Sequence, residues 1–206
     1  LTAGSRDLPE RQQTLRGAIA WSYDLLDEGA RRLVDRLSVF RGGFQLEMAD
    51  VVCGPAAEVG GDVIDRTGEL VDQSLVRGDD EGGETRFSML ETIREYAAER
   101  LDLRGETHAV QARHATAMIG LAEQAAPMLS GADQRLWLDR LEREHDNLRA
   151  ALDWAMVAPA PDVEIERPGD NPPEGVGAIV EAFRPDARDE DGARILQAFE
   201  IGRAHV

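Results

Sequence analysis

Metal or nucleophilic chemistry in this chain would have to rest on four histidines and one cysteine: His108, His114, His145, His205 and Cys53. A zinc site needs three or four such ligands at short spacings. His108 and His114 are six residues apart, which turns them to different sides of a helix. No second cysteine exists and no H-E-x-x-H spacing occurs. His145-Asp146 reads as a polar pair at a helix junction, so no metal is expected. Cys53 lies on an apolar helical face and reads as a buried, inert thiol. Ser22, Ser38, Ser74 and Ser88 fall inside regular patterns without the glycine elbow that exposes a nucleophile. Gly42-Gly43 and Gly82-Gly83 lack the G-x-x-x-x-G-K-[ST] context of a phosphate cradle, and all 23 basic residues are arginine. A chain without lysine has neither a P-loop lysine nor a Schiff-base lysine. Acids are abundant everywhere, so no spacing selects a catalytic pair. No catalytic residue and no cofactor are expected.

The elements that would position these residues are mostly helices. The 206 residues hold 42% hydrophobic and only 5% aromatic side chains, which suits an aliphatic, helical core. Residues 1–8 read as a frayed N-terminus, and a start at Leu1 rather than Met suggests a fragment of a longer protein. Asp7, Pro9 and Glu10 form a helix start, and Leu15, Ala18, Ile19, Ser22, Tyr23 and Leu26 give that helix one apolar face. Asp27 caps a second helix with Ala30, Leu33, Val34, Leu37 and Phe40 inward, and Gly42-Gly43 reads as its stop. A third helix covers 45–53, and 56–61 reads as a loose stretch. A fourth covers 62–75, capped by Asp62, with Val63, Ile64, Thr67, Leu70, Val71 and Leu75 as its stripe. Gly68 inside it suggests a close helix contact. Residues 74–77 and 85–89 read as strands around a turn at 78–84. Further helices start at Leu90, near Glu106 and near Asp133, the last with a bend near His145-Asp146 and a stripe of Trp137, Leu141, His145, Leu148, Leu152 and Ala155. A stripe of that kind stacks on neighbouring repeats, so part of it should be exposed in this chain alone.

The expected fold is therefore mainly α: a winged helix-turn-helix with a small β-hairpin wing over 9–104, then a helical, repeat-like arm over 105–156. Residues 157–206 are proline- and acid-rich and read as a disordered or artefactual tail, and 200–206 (EIGRAHV) resemble a translated sequencing adapter. No run of about 18 apolar residues and no signal peptide is present, so a cytoplasmic protein without a membrane partner is expected.

In a DNA-reading winged helix, one helix enters the major groove and the wing touches phosphates. The helix at 62–75 carries Asp62, Asp65, Glu69 and Asp72 against Arg66. The wing carries Asp79, Asp80, Glu81 and Glu84 between Arg77 and Arg86. Acids there repel the backbone and remove the counterion-release gain, and the whole chain has a formal charge of −17. Direct DNA binding is not the expectation. Arg31, Arg32 and Arg36 read as a solvated face or as intramolecular contacts.

Four blocks carry a likeness: LPERQQTLRGAIAWSYDLLDEGARRLVDRLSVFRGGFQLEMADVVCG, ELVDQSLVR, RFSMLETIREYAAERL and WLDRLEREHDNLRAALDWA. Together, from Leu8 to Met156, they resemble the bacterial ATP-dependent transcriptional regulators of the STAND class, of the LuxR and antibiotic-regulator types. The resemblance implies a winged helix that follows a nucleotide-binding core and precedes a TPR-like sensor arm. It implies an upstream ATPase domain as partner in cis, a ligand or protein partner on the arm, and a regulatory role without catalysis in this stretch. The runner-up is a DNA-binding winged helix. Related proteins carry Met-His-Asp at the end of the wing, where the histidine contacts ADP. Here the matching positions are Met89, Leu90 and Glu91, which the resemblance marks as a nucleotide-sensor position, a weak one because the histidine is leucine. Leu90 is expected instead to be a core residue that opens a helix.

Overall fold

The computed structural model describes residues 10–81 and 84–157, and the calls of a frayed start at 1–8, of the Asp7 helix start and of the tail from 158 onward lie outside them. The described chain is helical apart from one hairpin. Two compact units divide it, residues 1–110 and residues 111–206.

In the first unit, α1 spans Glu10–Asp24 and α2 spans Glu28–Leu37. Asp27 caps α2 as its position predicts, accepting from the Ala30 amide at 2.8 Å. The last turn of α2 tightens after Leu37, with Ser38, Val39 and Phe40 amides donating three residues back. The third helix α3 is Leu46–Cys53, the short α4 is Ala56–Val59 and α5 is Val63–Asp72. The strands β1 (Arg77–Glu81) and β2 (Glu84–Ser88) pair antiparallel, with Arg77 opposite Ser88 and Asp79 opposite Arg86. Helix α6 follows at Glu91–Leu103.

Helix α2 packs against α3, α4, α5 and α6. Ala30, Leu33, Val34 and Leu37 are fully buried, and so are the polar Asp35 and Arg36. A charge on an enclosed helix must find its partners inside the fold. Asp35 accepts from the Tyr23 hydroxyl at 2.9 Å and from Arg104 Nε at 2.6 Å. Burial nevertheless pushes its carboxyl up to about 6, against the pull of Arg104 and Tyr23. Arg104 also donates to Glu28 at 2.5 Å, and these contacts, Glu28 foremost, hold its guanidinium above the ordinary range. Arg36 donates to Glu106 at 2.7 Å, to the Cys53 carbonyl at 2.5 Å and pairs with Glu58 at 2.8 Å. One helical turn thus ties α1, α3, α4, α6 and the segment after it to α2.

Aromatic contacts close the rest. The rings of Tyr23 and Tyr96 meet edge-on at 5.4 Å with the Arg100 guanidinium over both. Phe44 exchanges both backbone hydrogen bonds with Phe87, at 2.7 and 2.8 Å, and stacks on its ring. This makes Phe44 a third, single-residue strand beside the wing. Gly42 and Gly43 have positive φ, 71° and 102°, and a Cβ on Gly43 would lie 2.6 Å from the Phe87 carbonyl oxygen. The glycine pair therefore delivers Phe44 to the hairpin, rather than only stopping a helix.

Several expectations need correction. Residues 56–59 are helical, because Pro55 and the left-handed Gly60 bracket a single turn. Residues 74–76 are not strand, although Leu75 and Val76 are both buried. Ser74 sits at φ 58° and the amides of Leu75 and Val76 both donate to the Leu70 carbonyl. The strand starts at Arg77, so residues 78–80, expected in the turn, are in β1. Gly68 marks no helix contact, since a Cβ there meets nothing within 4 Å. Gly29 does: a Cβ on it would run into the Val59 carbonyl, where α2 meets α4.

The second unit holds α7 (Thr107–Ala125) from residue 111, a 3-10 turn at Ala126–Ser130, α8 (Gln134–Arg143) and α9 (His145–Val157). Ala115, Met118, Leu121 and Ala125 are buried along α7, and Leu148 and Ala151 along α9. The expected bend is a break at Glu144, between α8 and α9. His145 is exposed, 3.3 Å from Asp146, and the buried residues in its place are Glu144 and Asn147. Asn147 donates to Glu144 at 2.6 Å and is the hydrogen-bond neighbour of buried His114. Burial pushes His114 down to about 4.

Two stability predictions arise here. Asp35→Ala leaves two donors in the core without their carboxylate and should destabilise the fold by about 3–5 kcal/mol. Arg16→Ala, which removes the more exposed pair with Glu99, should change it by less than about 1 kcal/mol. Urea unfolding followed by circular dichroism compares them. For His114 the folded value near 4 lies below the unfolded value of 6.5, so the unfolded chain takes up the proton first. Its stabilisation is complete above pH 6.5 and is lost as pH falls through 4, up to about 3 kcal/mol. Urea midpoints near neutral pH and near pH 4.5 should show this loss, and His114→Gln should flatten it.

Candidate functional site

A winged helix acts through the second helix of its helix-turn-helix and through its wing. In this chain these are α5, preceded by α3 and the α4 turn, and the β1–β2 hairpin. Asp62 caps α5 by accepting from the Ile64 amide at 2.7 Å. Val63, Thr67 and Leu70 face the core, and the Thr67 hydroxyl donates to the Val63 carbonyl at 2.7 Å. Burial thus selects a narrower face than the expected stripe. Ile64, 61% exposed, and Val71, 36% exposed, stand outside it. They share the outer surface of α5 with Asp62, Asp65, Gly68, Glu69 and Asp72.

The arginine of α5 is committed inward. Arg66 donates to Asp27 at 2.7 Å, to Glu69 at 2.8 Å and to the Gly60 carbonyl at 2.6 Å. It braces the α4–α5 turn against the cap of α2, and the two acids raise its pKa. The wing shows a similar economy of cations. Arg86 donates to the carbonyls of Gly42 and Gly43, at 3.2 and 3.1 Å, and so points back to the Phe44 strand. Asp79, Asp80 and Glu84 are exposed. Thr85 donates to Asp80 at 2.9 Å and Gln45 to Glu84 at 2.6 Å. Arg77 is exposed at the base of the hairpin.

The arginines of α2 make intramolecular contacts, one of the two roles read from sequence. Arg31 lies over the Tyr23 ring and donates to the Tyr23 and Asp24 carbonyls, and Arg32 donates to the Glu58 carbonyl. Met89, Leu90 and Glu91 form the entry to α6. Leu90 occupies the cap position of that helix but is 48% exposed, so it is not a core residue. Glu91 is engaged by Arg94, which lowers its pKa, and by Arg41 at 3.6 Å. Cys53 is buried, and Ser38 donates to the Asp35 carbonyl at 2.6 Å. Among the described residues no group of three or more histidines, cysteines and acids could hold a metal, and no helix is long and apolar enough to cross a membrane.

The topology α2, Phe44 strand, α3, α5, β1, β2 defines a winged helix-turn-helix domain, and residues 26–102 match the family described by that name. A Mycobacterium tuberculosis protein named "Putative HTH-type transcriptional regulator Rv0890c" is 43% identical over 155 residues, and its Mycobacterium bovis counterpart Mb0914c matches equally. The match covers 75% of this chain and 17% of the relative, so the chain spans about a sixth of that protein's length. The Mycobacterium tuberculosis "Uncharacterized protein Rv0894" is 38% identical over 113 residues, 54% of this chain and 28% of its own length. No solved structure matches the chain.

The open space at Gly68 gives a direct check on this geometry. Gly68→Ala should stabilise the fold by about 0.5–1 kcal/mol, because the helix gains propensity and nothing is displaced. A thermal melt that shows destabilisation would mean that the outer face of α5 is covered.

Proposed function

We propose that this chain is the winged-helix part of a bacterial transcriptional regulator of the STAND type, and that it works through protein contacts rather than by reading DNA. The observation that carries this is the outer face of α5: four carboxylates, two exposed aliphatic side chains and an arginine already bound to Asp27, Glu69 and Gly60. Such a face lacks the cations that phosphate contacts require. The regulator names of the relatives, and the short share of their length that this chain covers, support a module within a larger assembly.

In this reading the module couples a preceding nucleotide-binding core to a TPR-like arm that takes a ligand or protein partner. Helix α1 supplies a surface suited to the first contact. Leu15, Ala18, Trp21 and Leu25 line one exposed apolar face, with Trp21 67% exposed. The arm would begin with α7 to α9, whose Leu136 and Met156 are exposed as at an unfinished stack. Exchange of nucleotide in the core would move the winged helix as a rigid body. The chain itself would carry no cofactor and no catalytic group, and Met89, Leu90 and Glu91 would not touch nucleotide.

A second reading is direct DNA binding. It is favoured by the complete helix-turn-helix and wing topology within residues 26–102 and by Arg77 exposed at the wing. Anisotropy titration of fluorescent duplexes separates the two. The first reading expects binding no tighter than about 10⁻⁵ M at physiological salt. Binding tighter than that, steeply salt-dependent and weakened by Arg77→Ala, would replace it with the second.

A further inference from the structure

The exposed surface of α5 is organised as well as acidic. Ile64, Gly68 and Val71 follow each other at i, i+4 and i+7, so they stack along one strip of the helix. Ile64 and Val71 are exposed and Gly68 leaves open space between them. Asp65, Glu69 and Asp72 repeat the same spacing one residue on, which places an acid strip beside the apolar one. Asp62 extends it at the helix start. The apolar strip is therefore a shallow notch, walled by an isoleucine and a valine, with carboxylates along one edge only. Exposed aliphatic residues at this spacing contribute nothing to the core, which Val63, Thr67 and Leu70 already supply.

We propose that this face of α5 docks a basic amphipathic helix of a protein partner, with an aliphatic side chain seated over Gly68 between Ile64 and Val71 and arginine or lysine side chains along Asp65 and Asp72, Glu69 between them being already paired with Arg66. Charge complementarity selects the occupant. A second copy of this chain brings a formal charge of −17 and the same acid strip, so it is repelled. A duplex sets its phosphates against the acids and is repelled by them. A helix with one apolar and one basic side matches both strips at once. Helix α5 has ten residues, about 15 Å, the span of nearly three turns of such a partner.

This rests on the protein-contact reading above, and the test separates the two. The probe is a synthetic 14-residue helical peptide with leucines on one face and arginines on the other, fluorescently labelled and titrated with the full chain at physiological salt. Two control peptides replace the leucines by serine or the arginines by glutamate. The variants are Ile64→Ser with Val71→Ser, which keep the net charge, Asp65→Asn with Asp72→Asn, and Gly68→Gln, which fills the notch. All sit on the exposed face, and circular dichroism confirms that each folds. The expected result is binding of the leucine-arginine peptide alone, weakened about tenfold or more by each set of variants. Absence of binding, or binding unchanged by Ile64→Ser with Val71→Ser, overturns the proposal while the protein-contact reading stands. A duplex that binds tightly and loses affinity with the same α5 variants overturns both.

Discussion

The first unit depends on a turn of helix that has no solvent side. Helix α2 is enclosed by α3, α4, α5 and α6, so Asp35 and Arg36 carry charge into a place where water cannot reach it. Each is held by groups from different elements, Tyr23 and Arg104 for the acid, Glu106, Glu58 and the Cys53 carbonyl for the base. Desolvation is strong enough that Asp35 stays near 6 despite two donors, so the carboxylate is held at a net penalty. The gain is positional. An aliphatic pair at 35 and 36 would pack in many arrangements, whereas a buried acid and base accept only partners at fixed places.

That constraint spreads outward to the surface chemistry. A lysine-free chain has only arginine for its cationic contacts, and the first unit spends many of them on itself. Arg36, Arg66, Arg94 and Arg104 each bind a carboxylate or a carbonyl of the same unit, and Arg86 binds carbonyls of the Phe44 segment. The topology is that of a winged helix-turn-helix, in which Arg66 of α5 and Arg86 of β2 serve as braces within the unit while Arg77 at the wing is exposed. What remains on α5 is aliphatic and acidic.

How much of this was legible in the sequence varies with the range of the interaction. The caps at Asp27 and Asp62 and the helices around them follow from local chemistry, because a side-chain oxygen reaches an amide two or three residues on. The inward face of α2 follows from period alone, whereas on α1 Ile19, Tyr23 and Leu26 of the expected face are buried but Leu15 and Ala18 are exposed, because only part of that arc meets the core. The Phe44–Phe87 bridge does not, since its partners are far apart in the chain and the glycines before Phe44 are equally consistent with a simple helix stop. Leu75 and Val76 misled for a related reason: a short apolar pair reads as strand, and nothing in the pattern shows that both amides fold back onto the Leu70 carbonyl. On α5, six apolar or small residues fit one helical stripe, but a helix lying on a core uses only part of that arc. Ile64 and Val71 could be assigned to the outside only once Val63, Thr67 and Leu70 were seen to fill the inside.

The second unit shows the complementary case, where polar residues share the buried face. From Trp137 to Ala155 the apolar spacing reads as a helix with a bend near His145-Asp146. The break falls at Glu144, and Glu144 and Asn147 are buried while His145 is exposed. The buried polar group that results is short-range in sequence on one side, Glu144 with Asn147, and long-range on the other, where His114 joins from α7. Glu144 and Asn147 are three residues apart, a spacing that places them on one face wherever the helix runs unbroken. Nothing in that spacing says that the face is buried, or that a histidine thirty residues earlier must stay neutral to lie against it. A polar triad of this kind fixes how α7 meets the α8–α9 break in a way that its alanine and leucine neighbours, which tolerate sliding, cannot. The bend is therefore the point at which the arm acquires a defined geometry, and its specificity comes from polar residues that hydrophobic periodicity leaves out of account.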